Sequence, residues 1–310
     1  MTVTIGLMLQ ILESVILPVF IVIAAGFSIR RFTSIESHSL SNVILYALTP
    51  CLVFSGIAES SLESHVWSQI GLITVGDALI MMILSWSIAK MLGLDQKLMS
   101  AFIVSTALTN SGNYGLPVNL LAFGERGLET AVIFYVISSV IAYTLGAFIA
   151  SHGTQGLRQS LASVTRLPLI YAAVAGFAVR LLMLQVPQPV LQSVKLMSGA
   201  AIPAMLLVLG MELAEPTLLR SKSAHCRLAI LSSIIKLFLP IIPVLLLSQI
   251  IGLGGLARNV VLVQACMPTA VVAIIFTIKY KGATQFVTSV IVISTLASLL
   301  TLTLLLSFIM

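Results

Sequence analysis

Stretches of about 20 apolar residues recur along the whole chain, and the short segments between them hold almost all of the charged side chains. A helix of that length crosses the hydrocarbon core of a bilayer, about 30 Å thick, because each residue adds about 1.5 Å. Lipid offers no hydrogen bonds to an exposed backbone, so each crossing stretch has to be helical. Of the 310 residues, 59% are hydrophobic and 8% are charged, unlike a soluble domain. The sequence therefore predicts an all-α membrane protein.

The apolar stretches form two sets of five, separated by a polar linker. The first set covers residues 11–29, 40–57, 66–89, 98–123 and 128–150, and the second covers 167–184, 190–211, 228–251, 256–278 and 286–310. This pattern predicts ten transmembrane helices. It divides the chain into a first unit at 1–151, a cytoplasmic linker at 152–166 and a second unit at 167–310.

Prolines recur at a nearly constant spacing in the two sets. Pro18, Pro50 and Pro117 pair with Pro168, Pro203 and Pro268 at shifts of 150, 153 and 151 residues. Chance alignment among 11 prolines is the alternative to an internal repeat. Because each unit has an odd number of helices, a repeat would enter the membrane from the opposite side. The prediction is two inverted five-helix repeats.

Basic residues divide unevenly between the two sides that ten helices imply. The side with both termini would hold Arg126, Arg180, Lys195 and Arg258. The other side would hold Arg30, Arg31, Lys90, Lys97, Arg158, Arg166, Arg220, Lys222, Arg227, Lys279 and Lys281. Because basic loops stay in the cytoplasm, the richer side is predicted to be cytoplasmic. This places a multi-pass protein in the cell (inner or plasma) membrane with both termini on the non-cytoplasmic side.

The run Thr109-Asn110-Ser111-Gly112-Asn113-Tyr114-Gly115-Leu116-Pro117 lies in the middle of the fourth apolar stretch. A regular helix is unfavourable there, because glycines loosen it and the proline removes a backbone donor. Irregular backbone at membrane depth is tolerated only where protein or a watery cavity satisfies it. A proline kink with small residues for close packing is the alternative, but it does not account for two asparagine amides. The run predicts a broken helix at a binding site.

A second polar run, Val263-Gln264-Ala265-Cys266-Met267-Pro268-Thr269-Ala270, lies in the ninth stretch. Two broken helices related by inversion would define a site where they cross. Half-helix amino termini carry partial positive charge, so a carboxylate could bind there without a basic side chain. The predicted substrate-binding residues are Asn110, Gly112, Asn113, Gly115, Pro117, Gln264, Met267, Pro268 and Thr269.

Two ionisable residues lie deep within apolar stretches, Asp77 in the third and Lys236 in the eighth. Intramembrane charges are costly and default to functional hypotheses. Both are candidates for proton coupling. The structural alternatives are a fixed partnership of Asp77 with Lys236 or with backbone amides, and snorkelling of Lys236 toward the surface. Glu13 and Glu212, near helix ends, rank behind them.

Enzyme, metal and nucleic-acid functions find no support. The four histidines lie in loops or at segment ends without ligand spacing, and the three cysteines are far apart. The net charge of +6 follows from the loop asymmetry rather than from a nucleic-acid partner. We expect no catalytic residue, metal or cofactor. The expected partners are the lipid bilayer and a small organic anion.

The run from Asn110 to Pro117, with Val263-Gln264-Ala265 leading to Pro268, resembles the auxin efflux carrier family, which includes bacterial permeases and plant PIN carriers. The resemblance extends over nearly the whole chain. Tyr46-Ala47-Leu48-Thr49-Pro50 and Leu52-Val53-Phe54 look like the family's second helix. Ile202-Pro203 and Leu209-Gly210-Met211-Glu212-Leu213 look like its seventh, and Ile293-Ser294-Thr295 looks like its tenth.

The resemblance implies a ten-helix fold shared with bile acid/sodium symporters and sodium/proton antiporters. In that fold a scaffold domain faces a mobile transport domain, which contains the crossed, proline-broken fourth and ninth helices. It implies that Asn110 contacts the substrate carboxylate, that the substrates are acids such as malate, malonate or auxin-like acids, and that the protein forms a homodimer. The long cytoplasmic loop of many plant carriers is absent, since residues 152–166 are few.

The resulting hypothesis is a secondary transporter or facilitator that moves small organic anions, in the efflux direction, by an elevator or rocking movement with H+ as the candidate coupling ion. Gly112, Gly115, Gly199 and Gly210 would permit sliding between helices. A sodium-coupled anion symporter is the first alternative. A cation/proton antiporter fits less well, because the residues at the crossing are neutral. A channel would show no counterflow.

Overall fold

The computed structural model describes residues 2–151, 157–215 and 225–310, and helices make up nearly all of the regular structure there. The helices are α1 (Thr2–Ile11, Leu12–Ile16 and Leu17–Phe32), α2 (Ser37–Val43, Ile44–Leu48 and Thr49–Ala58), α3 (Ser64–Met91), α4 (Gln96–Ala107), α5 (Ser111–Ala150), α6 (Leu157–Val164), α7 (Pro168–Leu181), α8 (Gln188–Leu213), α9 (Cys226–Phe238 and Ile241–Ile251), α10 (Gly255–Ala265), α11 (Val272–Lys279) and α12 (Thr284–Ile309). The all-α prediction is confirmed for these residues.

Seven helices in the described ranges are long and apolar enough to cross a membrane, fewer than the ten predicted. They are Ile5–Phe32, Ser37–Ala58, Ser64–Met91, Ser111–Ala150, Gln188–Leu213, Cys226–Ile251 and Thr284–Ile309. The fourth and ninth predicted stretches are each interrupted, and the sixth, α7, has only 14 residues. The longest helix, α5, turns sharply at Gly124, whose φ of 67° and ψ of −161° are not helical. This kink divides α5 into residues 111–123 and 125–150, which belong to two predicted stretches.

Three prolines of the first unit share a local structure that does not occur in the described residues of the second unit. A five-residue π-helical turn ends two residues before Pro18, Pro50 and Pro117 in each case. Proline lacks an N–H and its ring displaces the carbonyl four residues back, so a locally widened turn relieves the clash. In the second unit, Pro168 begins α7 and Pro203 lies inside α8. The equal spacing of prolines therefore does not correspond to equal backbone structure.

The helices pack into two groups. In the first, α8 packs along α1, and α2 packs against both α7 and α8. In the second, α3 contacts α4, α5 and the second part of α9, while α12 packs against the first part of α9 and contacts α4 and α11. In the same group, α10 packs against α5. The two interrupted stretches thus lie within the second group and face the first.

Some residues of the predicted linker and loops lie outside the residues that the structure describes. Residues 152–156 of the predicted linker lie outside them, and the remainder contains the short helix α6. Arg220 and Lys222, which contribute to the charge asymmetry, also lie outside the described residues.

Candidate functional site at the crossing of two broken helices

The two interruptions meet and pair with each other. Thr109, between α4 and α5, forms an isolated antiparallel bridge with Thr269, between α10 and α11. The amide of Asn110 donates to the carbonyl of Pro268 at 2.8 Å, and the amide of Ala270 donates to the carbonyl of Leu108 at 3.0 Å. Each break therefore satisfies backbone groups of the other, as irregular backbone at membrane depth requires.

Side chains extend this exchange symmetrically. The Thr109 hydroxyl donates to the carbonyl of Gln264 at 2.8 Å, near the end of α10, and the Thr269 hydroxyl donates to the carbonyl of Ser105 at 2.6 Å, near the end of α4. The last carbonyls of a helix have no intrahelical donor, so each threonine caps the other broken helix. The bridge pairs 109 with 269, a separation of 160 residues and not the 151 of the prolines. Pro268 lies in its break, whereas Pro117 lies beyond the break, at the start of the following helix.

Replacing Thr269 with valine is expected to destabilise the crossing without changing its shape. The carbonyl of Ser105 would stay buried and lose its hydroxyl donor, which costs about 1–3 kcal/mol. The measurement is the melting temperature of the purified protein in detergent. The matched control is Thr303→Val, since the Thr303 hydroxyl bonds the carbonyl of Leu299 four residues back in an unbroken helix. Equal melting temperatures of the two variants would contradict a special role for Thr269.

Lys236 also caps a broken helix. Its ammonium donates to the carbonyl of Ala265, the last residue of α10, at 2.7 Å, and the side chain is 1% exposed. The snorkelling alternative is therefore wrong, because the side chain points into the protein. A cation at a helix carboxyl terminus is favoured by the helix dipole.

Asp77 lies near Lys236 without a direct ion pair. The two groups interact electrostatically, but no described pair brings their charged atoms within 4.0 Å. One carboxylate oxygen of Asp77 is buried without a hydrogen-bond partner among the described residues. Asp77 and Lys236 together lie behind the crossing and line none of the cavities described below.

A cavity of about 200 Å³ opens beside the crossing; we call it the crossing cavity. Its walls come from α2 and α8 of the first group and from both breaks, α5 and α11 of the second. The polar lining comprises Ser41, Thr49, Thr109, Asn110, Ser111, Asn113, Tyr135, Ser138, Ser139, Tyr143 and Glu212. A cavity of this volume has room for several waters or for a small metabolite.

The amino termini of two helices converge on the crossing cavity. Residues 111–113 open α5 and line it, and so do Val271 and Val272, which open α11. The first amides of a helix lack intrahelical acceptors and carry partial positive charge. The side-chain nitrogen of Asn110 is buried, 6% of the residue being exposed, and has no hydrogen-bond partner among the described residues. The cavity therefore presents the unpartnered amide nitrogen of Asn110 beside two helix ends with partial positive charge.

The predicted substrate-binding residues divide into two sets. Asn110, Gly112 and Asn113 line the crossing cavity. The other six are packed behind it: Gly115, Pro117, Gln264, Met267, Pro268 and Thr269. Gln264 donates to the carbonyl of Ala131 at 3.2 Å and packs its side-chain oxygen against Gly115, where any larger residue would collide with it.

A second cavity of about 500 Å³, the distal cavity, lies at the other ends of α2 and α8. It is lined by Glu59, Glu125, Glu129, Lys195 and Pro203, among others, and Lys195 pairs with Glu59 at 2.8 Å. An apolar cluster that includes Leu48, Val53, Leu116, Val132, Ala201 and Met205 fills the space between the cavities. The crossing cavity reaches Asn110 and the distal cavity does not.

Two residues that line the crossing cavity were not among the predicted substrate-binding residues. Thr109 was predicted only as part of the polar run, yet it links the two breaks. Glu212 was ranked low because it lies near a helix end, yet it lines the crossing cavity. Its spacing from Asn110 gave no signal, since the two come from different helix groups.

A site at the crossing of two interrupted helices, within a bundle of membrane-spanning helices, defines a membrane transport protein. The chain belongs to the membrane transport protein family, whose model matches residues 11–166 and 154–306. Auxin efflux carriers and PIN-like proteins belong to this family, so the resemblance described above is confirmed.

Two archaeal relatives are similar over most of their length. An uncharacterized transporter of Methanocaldococcus jannaschii is 26% identical over 305 residues, covering 94% of this chain and 96% of the relative. An uncharacterized transporter of Methanothermobacter thermautotrophicus is 28% identical over 297 residues, covering 93% and 95%. Neither name states a substrate.

Proposed function

We propose that this membrane transporter moves small organic anions, carboxylates such as malate, malonate or auxin-like acids, by alternating access. The observation that carries the proposal is the unpartnered amide nitrogen of Asn110, buried where two helix amino termini face one cavity. A carboxylate there would accept hydrogen bonds from a side-chain amide and from backbone amides at once. No lysine or arginine among the described residues lines this cavity, so neutral donors and helix dipoles would supply the attraction.

Two inverted five-helix repeats form part of the proposal. The mutual capping by Thr109 and Thr269 supports them, because each threonine donates to a carbonyl near the end of the helix that precedes the other break. Kinking of α5 at Gly124 also supports them, since it separates the second half of the fourth predicted helix from the fifth. Counting the broken helices as single crossings, with α7 as a short one, gives ten spans.

The proposed movement carries the second helix group, with the crossing, past the first as a scaffold. Support comes from the two cavities at opposite ends of α2 and α8, of which one reaches Asn110 and the other is sealed from it by an apolar cluster. The crossing cavity opens toward the end that carries Arg30, which pairs with Glu215 at 2.9 Å. By the positive-inside rule that end is proposed to be cytoplasmic, with both termini outside.

Coupling to H+ is proposed, with Na+ as the alternative. Among the described residues no group of three or more histidine, cysteine or acidic side chains could hold a metal ion. Sodium binding to carbonyl and amide oxygens alone is known for this type of site, so the two ions are separated by experiment. A homodimer stays a prediction.

Saturable uptake of at least one labelled acid into proteoliposomes is the expected result for the wild-type protein. The panel is malate, malonate and indole acetate, and proton and sodium gradients are imposed separately. Counterflow, in which unlabelled acid inside the vesicle accelerates entry of label, is expected for a carrier and is absent from a channel. Protein-free liposomes from the same lipid are the control.

Two results would contradict this function. Uptake of no acid above the liposome control would remove the anion assignment. Linear, unsaturable uptake without counterflow would replace alternating access with a channel. Stimulation of uptake by a sodium gradient at equal pH would show that Na+, and not H+, is the coupling ion.

A further inference from the structure

A carboxylate side chain, Glu212, shares the crossing cavity with the donors that would hold an anion. It lies on the last turn of α8, on the scaffold side of the cavity, opposite Asn110 on the crossing side. One of its oxygens is buried and has no hydrogen-bond partner among the described residues, and Ser41 is its polar neighbour. An ionised carboxylate at this place would repel the anion that the crossing attracts.

No cation neutralises Glu212 in the described part of the chain. The nearest basic group on an adjoining element, Arg30, is held by Glu215 through two hydrogen bonds of 2.9 and 3.2 Å. No lysine, arginine or histidine nitrogen approaches Glu212 within 4.0 Å among the described pairs. A charge without a cationic partner is costly where it is partly buried, and binding a proton removes that cost.

The other titratable groups around Glu212 do not offer a positive partner. Tyr135 and Tyr143 line the same cavity from α5, and Glu215 lies one turn further on. The remaining groups on the elements packed against α8 are Glu13, Arg31, His38 and Tyr46, which are exposed, as is Glu36 just before α2. Cys51, Tyr114, Glu125, Arg126 and Glu129 lie further along. Tyr114 is bonded to Ser298 at 2.9 Å, and Glu129 accepts from Ser61 at 2.9 Å.

Resting on the proposed anion function, we propose that Glu212 supplies the coupled proton, so that the crossing cavity takes up an acid together with one H+. The carboxylate of Glu212 takes a proton from water in the cavity, and the resulting carboxyl donates a hydrogen bond to the substrate carboxylate, which also accepts from Asn110. As the second helix group moves away from α8, the O–H bond at Glu212 breaks and the proton stays on the substrate carboxylate. On the other side the acid releases this proton to water, and Glu212, left ionised, takes the next proton from the cavity. One proton crosses with each acid molecule.

Glu212 differs from Asp77 in access. Glu212 lines a cavity that the substrate would occupy and lies at the open end of α8, so both its proton and the substrate arrive by one route. Asp77 lies behind the crossing, beside the lysine that caps α10, and has no opening to either cavity. The structure therefore assigns coupling to Glu212, and Asp77 with Lys236 to support of the break.

The test compares Glu212→Gln with Asp77→Asn in proteoliposomes, using whichever of malate, malonate and indole acetate the wild type takes up. Glutamine keeps the hydrogen-bond donor of the protonated acid but has no proton to release, so Glu212→Gln is expected to retain counterflow at a reduced rate. Its uptake at equal pH on both sides should vary less than twofold between about pH 6.5 and 8.5, a range in which ordinary carboxyls stay ionised. The wild type should lose at least tenfold across that range. Accumulation driven by a proton gradient should disappear in Glu212→Gln and persist in Asp77→Asn.

The other possible outcomes distinguish failure of the proposed function from failure of the inference about Glu212. If the wild type takes up no acid, the proposed function fails and Glu212 loses its assignment with it. If the wild type transports but Glu212→Gln keeps both the pH dependence and proton-driven accumulation, only this inference is overturned. Loss of counterflow in Glu212→Gln, with restoration in Glu212→Asp, would mean that the carboxylate pairs with Na+ or with a cationic part of the substrate. A melting temperature close to that of the wild type establishes that each variant is folded.

Discussion

Asn110→Ala is expected to abolish measurable uptake of the transported acid while leaving the protein folded. The side-chain nitrogen of Asn110 has no hydrogen-bond partner among the described residues, so its removal breaks no bond of the resting protein. A hydrogen bond to a charged acceptor contributes about 1.5–3 kcal/mol, so the affinity should fall roughly 10- to 150-fold. The melting temperature should stay equal or rise, because a buried unsatisfied amide is removed.

The matched control for Asn110 is Asn259→Ala. The amide nitrogen of Asn259 donates to the carbonyl of Ile309 at 2.9 Å, and this residue lines none of the described cavities. It should lose stability and keep substrate affinity, the reverse of Asn110→Ala. Asn110→Asp adds a charge test, since a carboxylate there repels an anion. Wild-type affinity for the acid in both Asn110→Ala and Asn110→Asp would move the substrate site away from these donors.

The length and position of the apolar stretches predicted the helices because lipid imposes them locally. A stretch such as α3, Ser64–Met91, needs no partner to be helical, since every backbone bond closes within it. The break at Thr109 to Pro117 was also predictable, because glycine, proline and polar amides act over one or two turns. Both features depend on residues that are neighbours in the sequence.

The parts that sequence did not predict depend on contacts between distant residues. Proline spacing suggested a shift of 151 residues at the crossing, whereas Thr109 pairs with Thr269, a shift of 160. The difference arises because a proline can sit inside a break, as Pro268 does, or start the next helix, as Pro117 does. A one-dimensional pattern does not separate these positions.

The lining of the crossing cavity also could not be predicted from the sequence, because it depends on contacts between distant residues. Ser41, Asn110 and Glu212 line it from three helices. A glutamate near a helix end usually reaches water or headgroups, which is why Glu212 ranked behind Asp77. Its place opposite the predicted anion site follows only from how α8 packs against α1 and α2. Position along a helix therefore does not show which of the two carboxylates lines the cavity.

Gly210→Ala is expected to prevent stable packing of α8 against α1, with the largest loss of stability of any substitution considered. A Cβ atom at position 210 would lie 2.8 Å from the amide nitrogen of Phe27 and closer still to the carbonyl oxygen of Ile23. Gly26 meets α8 in the same way, since a Cβ there would collide with the carbonyl of Leu207. Both obstacles are backbone atoms, which cannot rotate away as a side chain can.

The cost should reach or exceed the upper end of the range for overpacking, about 1–3 kcal/mol, because the two helices would have to separate. Gly199→Ala is the control on the same helix: no atom lies within 4 Å of its added Cβ, and alanine favours a helix by about 0.5–1 kcal/mol. The measurement is the melting temperature and the monodisperse yield after detergent extraction. Gly210→Ala should lower both and Gly199→Ala should lower neither. Equal behaviour of the two variants would mean that α1 and α8 tolerate separation, and that Gly210 permits sliding rather than a fixed contact. That result would remove α1 and α8 from the proposed scaffold, because a scaffold has to keep its helices at constant distance while the crossing moves.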